Sequence, residues 1–154
     1  MDEAVSFTPD DVAIGKDTVV ETALHFILNS VRPVPDGSFG VAMKASRANK
    51  IGTSINLSWD VATCSSSDHH VIYGNLATVS SLAVSGAACN IGTSGTALWT
   101  SAPFGTSIWF VIVGDNNATT EGSWGTDGNG AQRGGSTVSG RCNMTTRDNS
   151  GSCP

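Results

Sequence analysis

The chain of 154 residues is poor in charge. Lys, Arg, Asp and Glu make up 14% of it, against about a quarter in ordinary soluble proteins. Between Ile51 and Gln132 there is no Lys or Arg, and the only acids are Asp60, Asp68, Asp115, Glu121 and Asp127. Binding to nucleic acid needs cations that neutralise phosphates, so no nucleic acid partner is expected. The same lack argues against a surface for anionic lipid. Long apolar runs are missing too. The longest, Ile108-Trp109-Phe110-Val111-Ile112-Val113, is far short of the roughly 20 residues of a membrane helix, so the chain is not expected to span a membrane itself.

Catalytic patterns are equally scarce. No serine sits in Gly-x-Ser-x-Gly, and the sparse acids form no opposed pair of the kind glycoside hydrolysis needs. The glycine-rich stretch 125–130 lacks the Lys-Ser/Thr ending of a phosphate loop. Asp68-His69-His70 has zinc-binding residue types, but neighbours on a strand point to opposite faces. The expectation for these three is a solvated loop leading into a strand. The chain is read as a non-enzyme with no cofactor. Calcium is the one ligand the residues admit: Asp115, Glu121, Asp127 and Asn129 bring hard oxygen donors into a cation-free, glycine-rich region.

What is present is an organised β pattern after an acidic start. Seven of the 13 acids fall in residues 1–36. Within that segment, taken as 1–38, Val19, Val20, Ala23, Leu24, Ile27, Leu28 and Val31 recur at spacings of three and four, behind a capping box at Thr18-Val19-Val20-Glu21. This predicts one helix over about 18–31, which Pro33 ends. Its stripe either covers the chain's own core or meets another chain, with Leu24 and Ile27 as the contact candidates.

From residue 39 to 154 the pattern is that of a β-sandwich. Strands are expected at 41–46, 55–59, 71–73, 79–84, 97–99 and 108–113, the last central and covered on both faces. A glycine-rich tail follows, which Trp124 is expected to pin to the core. Four cysteines, Cys64, Cys89, Cys142 and Cys153, at wide spacing and without Cys-x-x-Cys, read as two disulfides and an oxidising compartment. Three connectivities are open. Cys64–Cys89 and Cys142–Cys153 are favoured because each closes a local loop, for about 3 kcal/mol each in the chain-entropy model. The start at Met1-Asp2-Glu3 carries neither the basic nor the apolar region of a secretory leader, so the expectation is either a leader already removed or an unusual export route, such as a partner that brings the leader. Three tripeptides fit the Asn-x-Ser/Thr acceptor, at Asn56, Asn117 and Asn143. Asn117 is the glycosylation candidate, because Asp115 stands two places before it in an expected loop.

The segments Trp59-Asp60-Val61-Ala62-Thr63-Cys64, His70-Val71-Ile72-Tyr73-Gly74-Asn75-Leu76 and Ile108 to Gly114, with Cys89, resemble fibronectin-type-III-like modules of secreted bacterial proteins. The stretch Glu121-Gly122-Ser123-Trp124-Gly125-Thr126-Asp127-Gly128-Asn129-Gly130-Ala131-Gln132-Arg133 is similar to the glycine-rich motif that often ends them. The resemblance covers roughly residues 40–154. More narrowly, the chain resembles the globular partner of split type IV pilins. That resemblance implies a disulfide-stapled, fibronectin-III-like sandwich forming the outer half of a filament subunit. It also implies a short helical partner chain resembling a pilin N-terminus, contact with neighbouring copies, and a place on the cell surface after a periplasmic stage. The rival readings are a free-standing module binding carbohydrate or protein through Trp99, Trp109 or Trp124, and a piece of a larger secreted enzyme.

Overall fold

The computed structural model describes Val34 and residues 40–50, 53–103 and 107–151, all within one compact unit, Val31–Pro154. The expected helix at 18–31, with Leu24 and Ile27, lies outside the described residues. Eight strands are present among those described: β1 (Lys44–Arg47), β2 (Ile55–Ser58), β3 (Asp68–Asn75), β4 (Gly86–Ala88), β5 (Thr96–Trp99), β6 (Ile108–Asp115), β7 (Thr120–Glu121) and β8 (Thr146–Arg147). They form a three-stranded sheet, β1-β2-β5, and a five-stranded sheet, β4-β3-β6-β7-β8. All pairings are antiparallel except β7 with β8. The protein is mainly β, as expected.

Alternation along β3 and β6 gives the large sheet two apolar faces. Val71 pairs with Ile112, and Ile72 with Val111, so successive residues look to opposite sides. Val71 and Ile112 join Leu57, Trp59, Trp99 and Ala102 in a core shared by the two sheets. Ile72, Trp109 and Val113 join Trp124 in a second core on the outer face. Strand β6 is thus covered on both sides, as its unbroken apolar run predicts. The outer cover is the glycine-rich tail, and Trp124, 3% exposed, anchors it.

Two backbone positions show why glycine is needed. A Cβ on Gly74 would lie 2.2 Å from the Ala83 carbonyl oxygen and 2.7 Å from the Trp109 ring. Gly74 and Trp109 are register partners, so the indole occupies the space a side chain would take. Gly86 admits the Tyr73 ring in the same way on the neighbouring strand.

After β2, Asp60 closes the chain's corner. Its Oδ2 accepts from Val41 N at 3.0 Å and Thr63 Oγ1 at 2.9 Å, and its Oδ1 from Ala62 N at 2.8 Å and Thr63 N at 3.1 Å. The bonds from Val41 and Thr63 hold its carboxyl down to about 2.

Three expectations are corrected. The segment predicted as a strand over 79–84 begins inside a 3-10 helix, Leu76–Ser81. Asn75 Oδ1 accepts from Ala77 N at 2.9 Å, Thr78 Oγ1 donates to Asn75 O, and Ser81 Oγ donates to Thr78 O. Such local bonds compete with a sheet ladder, and Leu82, at φ 50°, ends the turn. Secondly, Asp68-His69-His70 is not a solvated loop; it is the buried first part of β3. Thirdly, Cys89 pairs with Cys142 and not with Cys64. The tail lies back across the large sheet, and Arg141 Nη2 reaches Ser85 O, next to β4. Cys142 therefore arrives beside Cys89 from 53 residues away. Nearness in sequence was the wrong guide. Cys64 is also disulfide-bonded, and no described cysteine is free.

Candidate functional site

The strongest concentration of chemistry among the described residues lies where β3, β6, β7 and the tail meet. The β3–β6 register sets Asp68 opposite Asp115, and the next pairings place His69 beside Gly114 and His70 beside Val113. At β7, Asp115 pairs with Glu121. Strand alternation then sends the two histidines apart.

His69 turns into the core between the sheets. Its ring lies 5.2 Å from that of Trp59, and Nδ1 is 2.8 Å from the Gly92 carbonyl. Burial lowers its pKa, so the neutral ring with Nδ1–H donating to Gly92 fits. Asp68 Oδ1 accepts from Gly92 N at 2.8 Å, so both side chains fasten the loop after Cys89.

His70 turns to the outer face and stands between two carboxylates. Nδ1 is 2.6 Å from Asp115 Oδ2, and Nε2 is 3.3 Å from Glu121 Oε2. The second contact is an ion-pair approach, not a well-aligned hydrogen bond. Burial works against charge on His70, but the bond to Asp115 and the approach of Glu121 outweigh it and raise the pKa. Burial likewise disfavours charge on Glu121. The imidazole and Ser139 outweigh it and lower that pKa. A charged imidazole facing an ionised Glu121 is the consistent pairing.

Glu121 also gathers the tail. Oε1 accepts from Trp124 Nε1 at 3.0 Å and Ser139 N at 2.7 Å, and Oε2 accepts from Ser139 Oγ. On the parallel neighbour β8, Arg147 lies 4.4 Å over the Trp124 ring and donates to Thr137 O and Arg133 O. Asp115 Oδ1 accepts from Asn117 N at 2.8 Å, which shapes the β6–β7 turn. No protein-family model, curated protein or solved structure matches this chain.

The arrangement looks like part of a catalytic triad, but it lacks the reacting end. In a Ser-His-Asp triad the second ring nitrogen faces a nucleophile. Here it faces Glu121, and the nearest bonded hydroxyl, Ser139, belongs to the acid. His70, Asp115 and Glu121 are 0%, 2% and 0% exposed. What this geometry does chemically is hold a charge network shut beneath the tail.

The structure divides the four calcium candidates. Asp115 and Glu121 are together, buried, and committed to His70, Ser139, Trp124 and the Asn117 amide. Asp127 and Asn129 are in an exposed turn, where Asp127 Oδ1 accepts from Asn129 N at 2.8 Å and Ala131 N at 3.0 Å. Among the described residues no three His, Cys, Asp or Glu side chains are grouped to hold a metal ion. Asn117 sits at an exposed turn tip. Cys89 and Cys142 are joined, and Cys153 lies outside the described residues.

The three tryptophans of the binding-module reading are all interior: Trp99 is 3%, Trp109 7% and Trp124 3% exposed. Sequence reasoning missed the roles of His70, Ser139 and Arg147. No direct signal for His70 was available: the expected strand ended at Val113, and β6 runs on to Asp115 only in its pairing with Asp68.

Proposed function

We propose that this chain is a non-enzymatic structural subunit of an extracellular bacterial filament, the outer globular half of a split type IV pilin. It assembles with a short hydrophobic helical partner and with neighbouring copies. The observation that carries the structural reading is the sealed His70–Asp115–Glu121 network. The most reactive side chains of the described region are buried against one another and fix the tail to the sheet. They serve rigidity. The order β1-β2-β5 beside β4-β3-β6 supports the fibronectin-III-like module. The Cys89–Cys142 bond is compatible with a life outside the cell. Filament and partner rest on the narrower resemblance of the chain to the globular partner of split type IV pilins. Among the described residues no helix is long and apolar enough to cross a membrane. The carbohydrate-binding reading is weaker, since Trp99, Trp109 and Trp124 offer no exposed platform.

Purification of sheared surface filaments from the native cells tests the proposal. This chain and a second short, helical chain should appear in equal amounts, and a charge at Leu24 or Ile27 should reduce their co-purification. A monodisperse monomer with no second chain by mass spectrometry would defeat it.

A further inference from the structure

The fold separates the three acceptor tripeptides sharply. Asn56 lies in β2, paired with Ser46 on one side and Leu98 on the other, and the next residue, Leu57, is buried. Asn143 follows the disulfide-bonded Cys142, and its tripeptide contains the buried Met144. Only Asn117-Ala118-Thr119 is exposed at all three positions. It forms the tip of the β6–β7 turn, with Asn117 in the left-handed region at φ 55°.

The turn holds itself without the Asn117 side chain. Asn116 Oδ1 accepts from the backbone amides of Ala118, Thr119 and Thr120 at 3.0, 3.1 and 3.0 Å. Among the described residues the Asn117 carboxamide has no hydrogen-bond partner. A large group on Asn117 would project into solvent and displace no packing.

We propose that Asn117 is an N-glycosylation site, modified before the β6–β7 turn closes. The donor is an oligosaccharide carried on a polyprenyl diphosphate. The Asn117 Nδ2 forms a bond to the anomeric carbon as the bond from that carbon to the diphosphate oxygen breaks. Polyprenyl diphosphate leaves with the electron pair, and the amide proton passes to the transferase base. The order of events follows from Asp115. On the extracellular bacterial reading proposed above, on which this inference rests, the acid two places before the asparagine belongs to the segment the transferase recognises. In the folded chain that acid is 2% exposed, bonded to His70 and to the Asn117 amide. It can be read only while the segment is open. Afterwards Asp115 folds inward to His70, and the sugar stays outside.

Intact mass and glycopeptide mapping of the protein from its native cells test the site. One glycan is expected on the peptide containing Asn117, with Asn56 and Asn143 bare. Asn117→Gln and Thr119→Ala should lose the added mass and Thr119→Ser should keep it. The two Thr119 variants, which leave the left-handed Asn117 in place, should retain the wild-type melting temperature. An unmodified wild-type chain, or a glycan at Asn56 or Asn143, would overturn the proposal. For the timing, a purified bacterial oligosaccharyltransferase with its lipid-linked donor should modify reduced, unfolded chain and leave oxidised, folded chain bare. Equal modification of both would overturn that part.

Discussion

Asp115 and Glu121 face each other across the β6–β7 pair and hold the His70 imidazole between them. A short ladder is thereby tied to a tail that has almost no ladder of its own. The sign of the resulting pH dependence is fixed. His70 has a pKa raised above its ordinary 6.5. Its contribution to stability is full below that value and fades as pH rises through the folded-state pKa. Glu121 has a pKa lowered from its ordinary 4.5. Its contribution is full above 4.5 and is lost as pH falls through the depressed value. The His70 and Glu121 contributions are therefore both full between about 4.5 and 6.5 and decline on either side. His69, its pKa lowered by burial, instead costs stability as pH falls below 6.5. The His70 part is therefore read as the difference in urea midpoint between wild type and variant. His70→Gln should remove the alkaline decline; an unchanged profile in that variant would refute this assignment.

Removing one member of the network should cost more than removing an exposed charge. Glu121→Ala leaves the charged ring with Asp115 alone and releases Ser139 and Trp124. A loss of about 3–5 kcal/mol is expected, as for other broken buried pairs. Denaturation followed by tryptophan fluorescence should show it, together with a red shift if Trp124 becomes wet. A loss below about 1 kcal/mol, typical of a surface charge, would contradict the sealed network.

Gly74 gives a test of close packing. Gly74→Ala puts a methyl group against the Ala83 carbonyl and the Trp109 ring, so about 1–3 kcal/mol should be lost through overpacking. Gly128 has open space around its Cβ position and no left-handed φ. Gly128→Ala should stay within about 0.5 kcal/mol of wild type. Equal effects at the two sites would show that the Gly74–Trp109 interlock is wrong.

Much of this was legible in the sequence. The alternation Ile55-Asn56-Leu57-Ser58 gave β2 its limits, and the apolar run at 108–113 gave β6 its double cover. Trp124 could be assigned to the core because a large aromatic among glycines has little else to pack on. Other features depend on partners far along the chain. Nothing local marks Asp68-His69-His70 as strand, since the partners of its side chains, Gly92, Asp115 and Glu121, are each more than 20 residues away. Thr78, Ser80 and Ser81 look compatible with a strand until Asn75 caps a turn. The donors Asp115 and Glu121 resembled a calcium set because sequence shows their chemistry and not their commitments.

Disulfide mapping gives the most direct check on the tail. Proteolysis without reductant should yield a linked pair of peptides containing Cys89 and Cys142. Replacing both with Ser should lower stability by about 4 kcal/mol, the chain-entropy figure for a loop of this length. A peptide pair joining Cys64 to Cys89 would mean that the tail does not lie on the sheet as described.

The same bond has a mechanical consequence. A chain pulled from its two ends transmits tension through Cys89 and Cys142 and bypasses everything between them. The 53-residue separation of those cysteines removes roughly 180 Å from the length the chain can pay out, at about 3.4 Å per extended residue. Strands β5, β6 and β7, with Trp99, Trp109 and Trp124, all lie inside that closed span. In a fibre under load, β1 and β2, which precede the bonded Cys64, can yield, while β5 to β7 hold their contour until a covalent bond breaks.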